Sequence, residues 1–195
     1  MPIRNDREYR KAAPFEARED ESYIVEGYAS TFSPYVLWHE GDTEIREQID
    51  PHAFDNADMS DVIMQYDHEG RVFARTSNGT LELSIDDHGL KVRADLSKTE
   101  GARQLYEDIK SGMITQMSFA FSIQEDAYDK KEHMRTVKKI RKVFDTSAVS
   151  IPANPGTEIA ARSYFDGVIE AERAERLAAE ERERKIQILK LRLSL

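Results

Sequence analysis

Apolar and polar positions alternate with a period of two on both sides of the turn Asp86-Asp87-His88-Gly89. Leu81, Leu83 and Ile85 alternate with Glu82 and Ser84, and Leu90, Val92, Ala94 and Leu96 alternate with Lys91, Arg93 and Asp95. Such a pattern around an Asp/Gly turn predicts a β-hairpin with one wet face. A second alternation runs from Met113 to Ile123. Met117, Phe119, Phe121 and Ile123 face one way, and Gln116, Ser118, Ala120 and Ser122 face the other. Tyr23-Ile24-Val25-Glu26-Gly27-Tyr28 collects β-branched and aromatic residues and predicts another strand. The short run Val62-Ile63-Met64-Gln65-Tyr66 predicts a buried one, ended by the polar turn Asp67-His68-Glu69-Gly70. Two further strands are expected near 135–142 and 143–151, the second stopped by Pro152 and Pro155. Residues 33–50, with Pro34, Gly41 and Asp42, read as a long loop or an irregular hairpin, and 124–134 as a charged loop.

One segment changes period. Ala102, Leu105, Tyr106 and Ile109 recur at helical spacing after Ser97-Lys98-Thr99-Glu100, which fits a capping box, and Gly112 stands where a C-terminal cap belongs. The spacing predicts a helix over 98–111. Several strands and one helix give a mainly β domain (α+β) whose sheet closes on itself.

The two ends differ from this middle. Residues 1–21 are polar and of mixed charge and read as a flexible leader. From about 164 the composition shifts to Ala, Glu and Arg. Glu172/Arg176, Glu180/Arg184 and Glu181/Lys185 are acid-before-base pairs at i, i+4, and Ile186, Ile188, Leu189, Leu191 and Leu193 form an apolar end. A long charged helix is expected over 161–195. Its plainer reading is a solvated face; its sharper one is a helix whose last turns dock on a partner. The expected organisation is thus a leader (1–21), a domain (22–160) and a helical tail (161–195).

Composition narrows the chemistry. The chain has 195 residues and no cysteine, so thiolate zinc sites, disulfides and a cysteine nucleophile are excluded. A net charge of −9 argues against non-specific nucleic-acid binding, which depends on neutralising phosphates. No apolar run approaches the roughly 20 residues that span a bilayer. The expectation is a soluble, intracellular protein without a cofactor.

The five histidines are His39, His52, His68, His88 and His133, and none shows zinc-hydrolase spacing. His68 leaves the end of a core strand with the parity of Val62, Met64 and Tyr66. It could serve as a rigidly held general base or simply occupy a turn beside Asp67. Ser118 lies mid-strand on the small-residue face, either as a nucleophile or as a small residue facing a neighbour. Asp145 opens a run of apolar and hydroxylic residues and needs a partner such as Arg141, Lys142 or a histidine. Ser147, two residues on, is a rival nucleophile.

Taken jointly, these segments are more specific. Tyr66-Asp67-His68, then Met117-Ser118-Phe119-Ala120-Phe121, then Phe144-Asp145-Thr146-Ser147 leading into Pro152-Ala153-Asn154-Pro155, resembles the tailed-phage prohead (capsid maturation) proteases, relatives of herpesvirus assemblin. Gly27-Tyr28-Ala29-Ser30-Thr31-Phe32 and Pro51-His52-Ala53-Phe54-Asp55 extend the resemblance over about 22–160. His52 stands where such proteins often have glycine. The resemblance implies a serine endopeptidase on an assemblin-like β-barrel core with flanking helices. Ser118 would be the nucleophile, His68 the base and Asp145 the acid. It further implies action inside a procapsid in the host cytoplasm. The substrates would be a scaffold protein, the major capsid protein or its scaffolding segment, and the protease itself, with a homodimer as the assembly. Two other readings remain: a non-enzymatic assembly or scaffold protein with a helical interaction tail, and a metal-dependent hydrolase using His52, Asp67 and His68.

Overall fold

Apolar runs become strands where a neighbouring strand can cover them, and the order of those neighbours decides which residues meet. The structure, a computed structural model, describes residues 7–17, 23–40, 43–150 and 174–187. The chain divides into two compact units, Met1–Thr157 and Glu158–Leu195. The first holds β1 (Glu8–Ala17), β2 (Ile24–Thr31), β3 (Tyr35–Glu40), β4 (Thr43–Ile49) and β5 (Ile63–Tyr66). It continues with β6 (Glu69–Arg75), β7 (Leu81–Ile85), β8 (Gly89–Asp95), helix α1 (Glu100–Lys110), β9 (Gln116–Asp129) and β10 (Met134–Val149). In the second, residues 174–187 are helical and exposed throughout.

The strands lie in the order β3-β4-β10-β9-β1-β2-β8-β7, with β5 beside β10 and β6 beside β5. The β7–β8 hairpin forms as the alternation predicts, with Leu90, Val92, Ala94 and Leu96 buried and Lys91 and Arg93 only partly covered. Residues 33–50 form the irregular hairpin β3–β4, whose register shifts between Val36 and Trp38. Helix α1 buries Ala102, Leu105, Tyr106 and Ile109, as its spacing predicts. Its cap is Thr99, whose hydroxyl accepts from the Ala102 N–H at 3.1 Å, and not Ser97. Gly112 takes φ 75° just beyond the helix, where an L side chain would be strained, and its N–H donates to the Ile109 carbonyl.

Several expectations are corrected. Among the described residues the sheet forms no closed barrel. Strand β10 gives its first half to β4 (Met134–Val137) and its last half to β5 (Asp145–Ala148), so the ladder branches instead of running round. The two strands expected at 135–142 and 143–151 are, as far as Val149, one strand, β10. Its pairing with β9 shifts register at four places, which breaks the alternation and makes one strand read as two. The expected loop at 124–134 shrinks to residues 130–133, because the hairpin continues through charged positions that face solvent. Strand β6 escaped the pattern because residues 69–72 are all exposed. A charged helix along the whole of 161–195 is not supported: helical residues are 174–187, with Lys185 and Glu181 paired at 3.2 Å, and the remainder, including Ile188 to Leu193, lies outside the described residues. Pro152-Ala153-Asn154-Pro155 also lies outside them.

The largest correction concerns the leader. Residues 8–17 are β1, a strand within the sheet. Glu8–Lys11 pair with β9, and Phe15–Ala17 pair with β2. Two of the charged residues that suggested a leader, Glu8 and Arg10, are covered and paired. Arg10 reaches Glu47 by two hydrogen bonds of 2.5 and 2.8 Å and also bonds Glu8. Arg135 reaches Glu8 at 2.8 and 3.0 Å, Glu47 at 3.2 Å and Asp126 at 2.7 Å. Tyr35 donates to Glu47. Glu47 is 0% exposed and Arg135 1%, so these charges stand in place of one another's water. Burial by itself would raise the Glu8 carboxyl, but the Arg10 and Arg135 guanidiniums more than offset it and hold it below its ordinary value. Burial likewise opposes the charge on Arg10, and Glu47 overcomes it, leaving Arg10 firmly protonated. Burial, then Glu47, pushes the Tyr35 phenol well above its ordinary range.

Candidate active site

Three of the residues singled out in the sequence meet on one face of β9 and β10. Ser118 on β9 lies opposite Ser147 on β10, and Asp145 lies opposite Ala120. Alternation puts Asp145 and Ser147 on the same face of β10, and the pleat puts Ser118 on that face too. On its other side β10 pairs in parallel with β5, with Asp145 beside Ile63 and Ala148 beside Tyr66. The chain leaves β5 at Tyr66 and returns at Glu69, so Asp67 and His68 form a two-residue turn. Both have positive φ, 48° and 61°, as the type I′ hairpin turn requires.

Neither turn residue is glycine, so the conformation has to be held from outside. The Asp67 N–H donates to the Ala148 carbonyl at 2.9 Å. The Asp67 carboxylate accepts from the N–H and the hydroxyl of Ser150, each at 2.9 Å. The turn is thereby tied to the end of β10, and the His68 ring is carried over the face holding Asp145 and Ser118.

The three side chains form one hydrogen-bonded chain. His68 Nε2 lies 2.8 Å from Ser118 Oγ, and His68 Nδ1 lies 2.5 Å from Asp145 Oδ1. A carboxylate on the Nδ1 side assigns the proton to Nδ1 and leaves Nε2 to accept from the serine hydroxyl. Ser147 Oγ donates to the same Asp145 oxygen at 2.7 Å. Asp145 is only 3% exposed, and these two donors make its burial tolerable. The His68 side chain is 10% exposed, Ser118 6% and Asp145 3%, so the whole chain is largely covered and the imidazole is its most accessible member. Such an arrangement can draw a proton from an alcohol as that alcohol attacks an acyl carbon.

The other sequence candidates separate. Ser147 is fully buried and its hydroxyl is committed to Asp145, so the rival nucleophile becomes a support for the acid. Of the partners expected for Asp145, Arg141, Lys142 or a histidine, it is a histidine, His68, that bonds it, while Lys142 pairs with Asp58 at 2.6 Å. His52 points to solvent beside Asp55 at 3.2 Å, so His52, Asp67 and His68 do not gather as ligands. Among the described residues no three metal-ligating side chains cluster. His39 pairs loosely with Glu44, His88 packs edge-on against Tyr28, and His133 bonds the Tyr128 hydroxyl.

One residue at the site was out of reach of the pattern. Tyr9 on β1 sets its ring against the His68 imidazole, 4.6 Å between centroids and 72° between planes. It pairs with Ala120 and so shares the face of Ser118. Its only signal is the short alternation Glu8-Tyr9-Arg10, hidden among charges.

Comparison with known proteins gives the family. The model of a family described as caudovirus prohead serine protease matches residues 11–168. The protein named prohead protease of Enterobacteria phage HK97 is 32% identical over 149 residues, 74% of this chain and 62% of that protein. The chain thus spans less than two thirds of that relative's length. No solved structure matches it.

Proposed function

Because the chain belongs to the caudovirus prohead serine protease family, we propose that it is a serine endopeptidase with Ser118 as nucleophile, His68 as general base and Asp145 as orienting acid. The observation that carries this reading is the unbroken hydrogen-bond chain Asp145–His68–Ser118.

The chemistry follows from those contacts. His68 Nε2 takes the hydroxyl proton as Ser118 Oγ attacks the scissile carbonyl carbon. Asp145 keeps Nδ1 protonated, fixes the ring and stabilises the imidazolium that forms. The tetrahedral adduct collapses, the amine leaves with the proton returned by His68, and an acyl-enzyme remains. Water, deprotonated by the same imidazole, then releases the acid and restores Ser118. Ser147 keeps Asp145 from turning away, and the Asp67–Ser150 contacts keep the turn closed. Protein groups alone carry these proton transfers, with no cofactor in the cycle.

The substrates in this reading are the scaffolding segment of the major capsid protein or a separate scaffold protein, and the protease itself. The setting is the assembling procapsid in the host cytoplasm, and the active assembly is a homodimer. The tail beyond 161 would dock on the shell or a scaffold helix. A chain ending at Pro155 would then enter procapsids poorly, and equal packaging would refute that role. Among the described residues, no helix is long and apolar enough to cross a membrane.

The test is co-expression with the phage capsid protein. The wild-type chain should shorten the capsid protein and itself, whereas Ser118→Ala should leave both at full length. Equal processing by the two would overturn the proposal and favour the purely structural assembly role.

A further inference from the structure

The two hydrogen bonds of His68 leave its imidazole one free motion. They leave from Nδ1 and Nε2 and so fix the ring along the line joining its two ends. They do not stop the ring from rocking about that line, and rocking misaligns the Nε2 lone pair with the Ser118 hydroxyl. The main chain at His68 has φ 61° and is anchored from the β10 side through Asp67. A contact on the flank of the ring would complete the restraint, and the Tyr9 ring, edge-to-face at 4.6 Å and 72°, lies there.

We propose that Tyr9 is a positioning residue for the base: its ring holds the His68 imidazole in the plane that serves Ser118 and Asp145 together. The proposal rests on the assignment of His68 as the base. Two features of β1 make Tyr9 a fixed stop instead of a passing neighbour. Strand β1 pairs directly with the nucleophile's strand, Tyr9 opposite Ala120 and Lys11 opposite Ser118, so ring and hydroxyl share one ladder. Alternation then sends Glu8 and Arg10 to the opposite face of β1. There they sit in the buried ionic cluster with Glu47 and Arg135. Arg10 also donates to the Tyr9 carbonyl at 2.9 Å. The residues on either side of Tyr9 are therefore locked by charge, and the residue between them presents its ring to the catalytic face. Strand β1 supplies no reacting group, yet it belongs to the catalytic apparatus.

The alternative is that Tyr9 only fills space in the sheet. Its loss would then lower the fraction of folded protein without changing how each folded molecule reacts. The full chain and its Tyr9→Phe, Tyr9→Leu and Tyr9→Ala variants distinguish the two. A fluorophosphonate probe reports both quantities, its final labelled amplitude counting competent sites and its rate constant reading the Ser118–His68 pair. Tyr9→Phe keeps the ring and should label within twofold of the wild-type rate. Tyr9→Leu and Tyr9→Ala should slow the rate constant roughly tenfold, the order of effect an aromatic contact supports. The low-field proton resonance of His68 Nδ1–H should broaden in those two variants and stay sharp in Tyr9→Phe. Should Tyr9→Ala not fold, Tyr9→Leu carries the test with an apolar side chain still in place, and failure of both to fold while Tyr9→Phe matches the wild type assigns Tyr9 to the fold and overturns the proposal. A wild-type rate in Tyr9→Leu, or a Tyr9→Phe rate as slow as Tyr9→Leu, also overturns it. A wild-type chain that takes no probe at Ser118 defeats the protease reading itself, which is a different result.

Discussion

The two faces of β1 carry two buried polar constellations that a burial map alone would not tell apart. On one face Glu8 and Arg10 join Glu47, Arg135, Asp126 and Tyr35, a cluster in which acids and guanidiniums satisfy each other. On the other face lie His68, Asp145, Ser147 and Ser118. The first is held by ion pairs: Glu47 is 0% exposed and Arg135 1%, and three acids, Glu8, Glu47 and Asp126, surround two guanidiniums. The second ends in an imidazole that is 10% exposed and a hydroxyl that is 6% exposed, neither carrying a permanent charge. Buried ion pairs hold strands in register, whereas proton transfer needs a titratable group within hydrogen-bond reach of the group it deprotonates. A titratable ring set between a carboxylate and a hydroxyl, more than burial or hydrogen-bond count, separates the reactive face from the structural one.

Substitutions on the two faces should therefore separate turnover from stability. The largest effect belongs to the reactive face. Asp145→Asn keeps the shape but removes the charge that holds Nδ1–H, and peptide cleavage should fall by about four orders of magnitude. Its thermal midpoint should stay close to the wild-type value. The structural face should do the reverse. Glu47→Ala removes the fully buried acid that Arg10 and Arg135 share and should cost about 3–5 kcal/mol in urea unfolding. Replacing Glu8, Arg10, Glu47, Asp126 and Arg135 together by apolar residues of similar volume, so that no charge loses its partner, should recover much of that loss. A variant so neutralised that stays as unstable as Glu47→Ala would contradict the structural role of these charges.

Smaller effects sharpen it. Ser147→Ala removes one hydrogen bond to a carboxylate, about 1.5–3 kcal/mol at most. It should slow cleavage roughly tenfold while His68 still holds Asp145. A Ser147→Ala enzyme as inactive as Ser118→Ala would move the nucleophile to Ser147. The smallest effect is in acid. The Glu8 carboxyl titrates below its ordinary value in the folded chain, so its contribution to stability is complete above the ordinary carboxylate range. It is lost as pH falls through the lowered folded value. Urea midpoints of the wild type and Glu8→Gln should accordingly differ near neutrality and converge on acidification.

The same two faces explain what the sequence could reveal. His68, Ser118 and Asp145 are three separate weak signals, and they gain weight through the motifs around them: the strand before His68, the Met-Ser-Phe run and the Phe-Asp-Thr-Ser run. Those motifs are contiguous and survive being read along a line. The ionic cluster has no such motif, because Glu8, Glu47 and Arg135 are spread across the chain and each reads as a surface charge. Strand β1 was hidden for the same reason, and Tyr9 with it. The β7–β8 hairpin and α1 are legible because β8 and α1 each bury one face with a constant period. Strand β10 is not, because its bulges change which face each residue meets. Ser147 shows the limit most clearly: its spacing from Asp145 marks it as part of the site, but only the fold shows that its hydroxyl serves the acid.

The central claim is that a hydroxyl on β9 becomes reactive because an imidazole from the β5–β6 turn and a carboxylate from β10 converge on it. Mapping the adduct of a fluorophosphonate by mass spectrometry of the digested chain tests this directly. The account predicts a single modified residue, Ser118, and loss of the adduct in His68→Ala. An adduct on Ser147, or undiminished modification of Ser118 without His68, would contradict it.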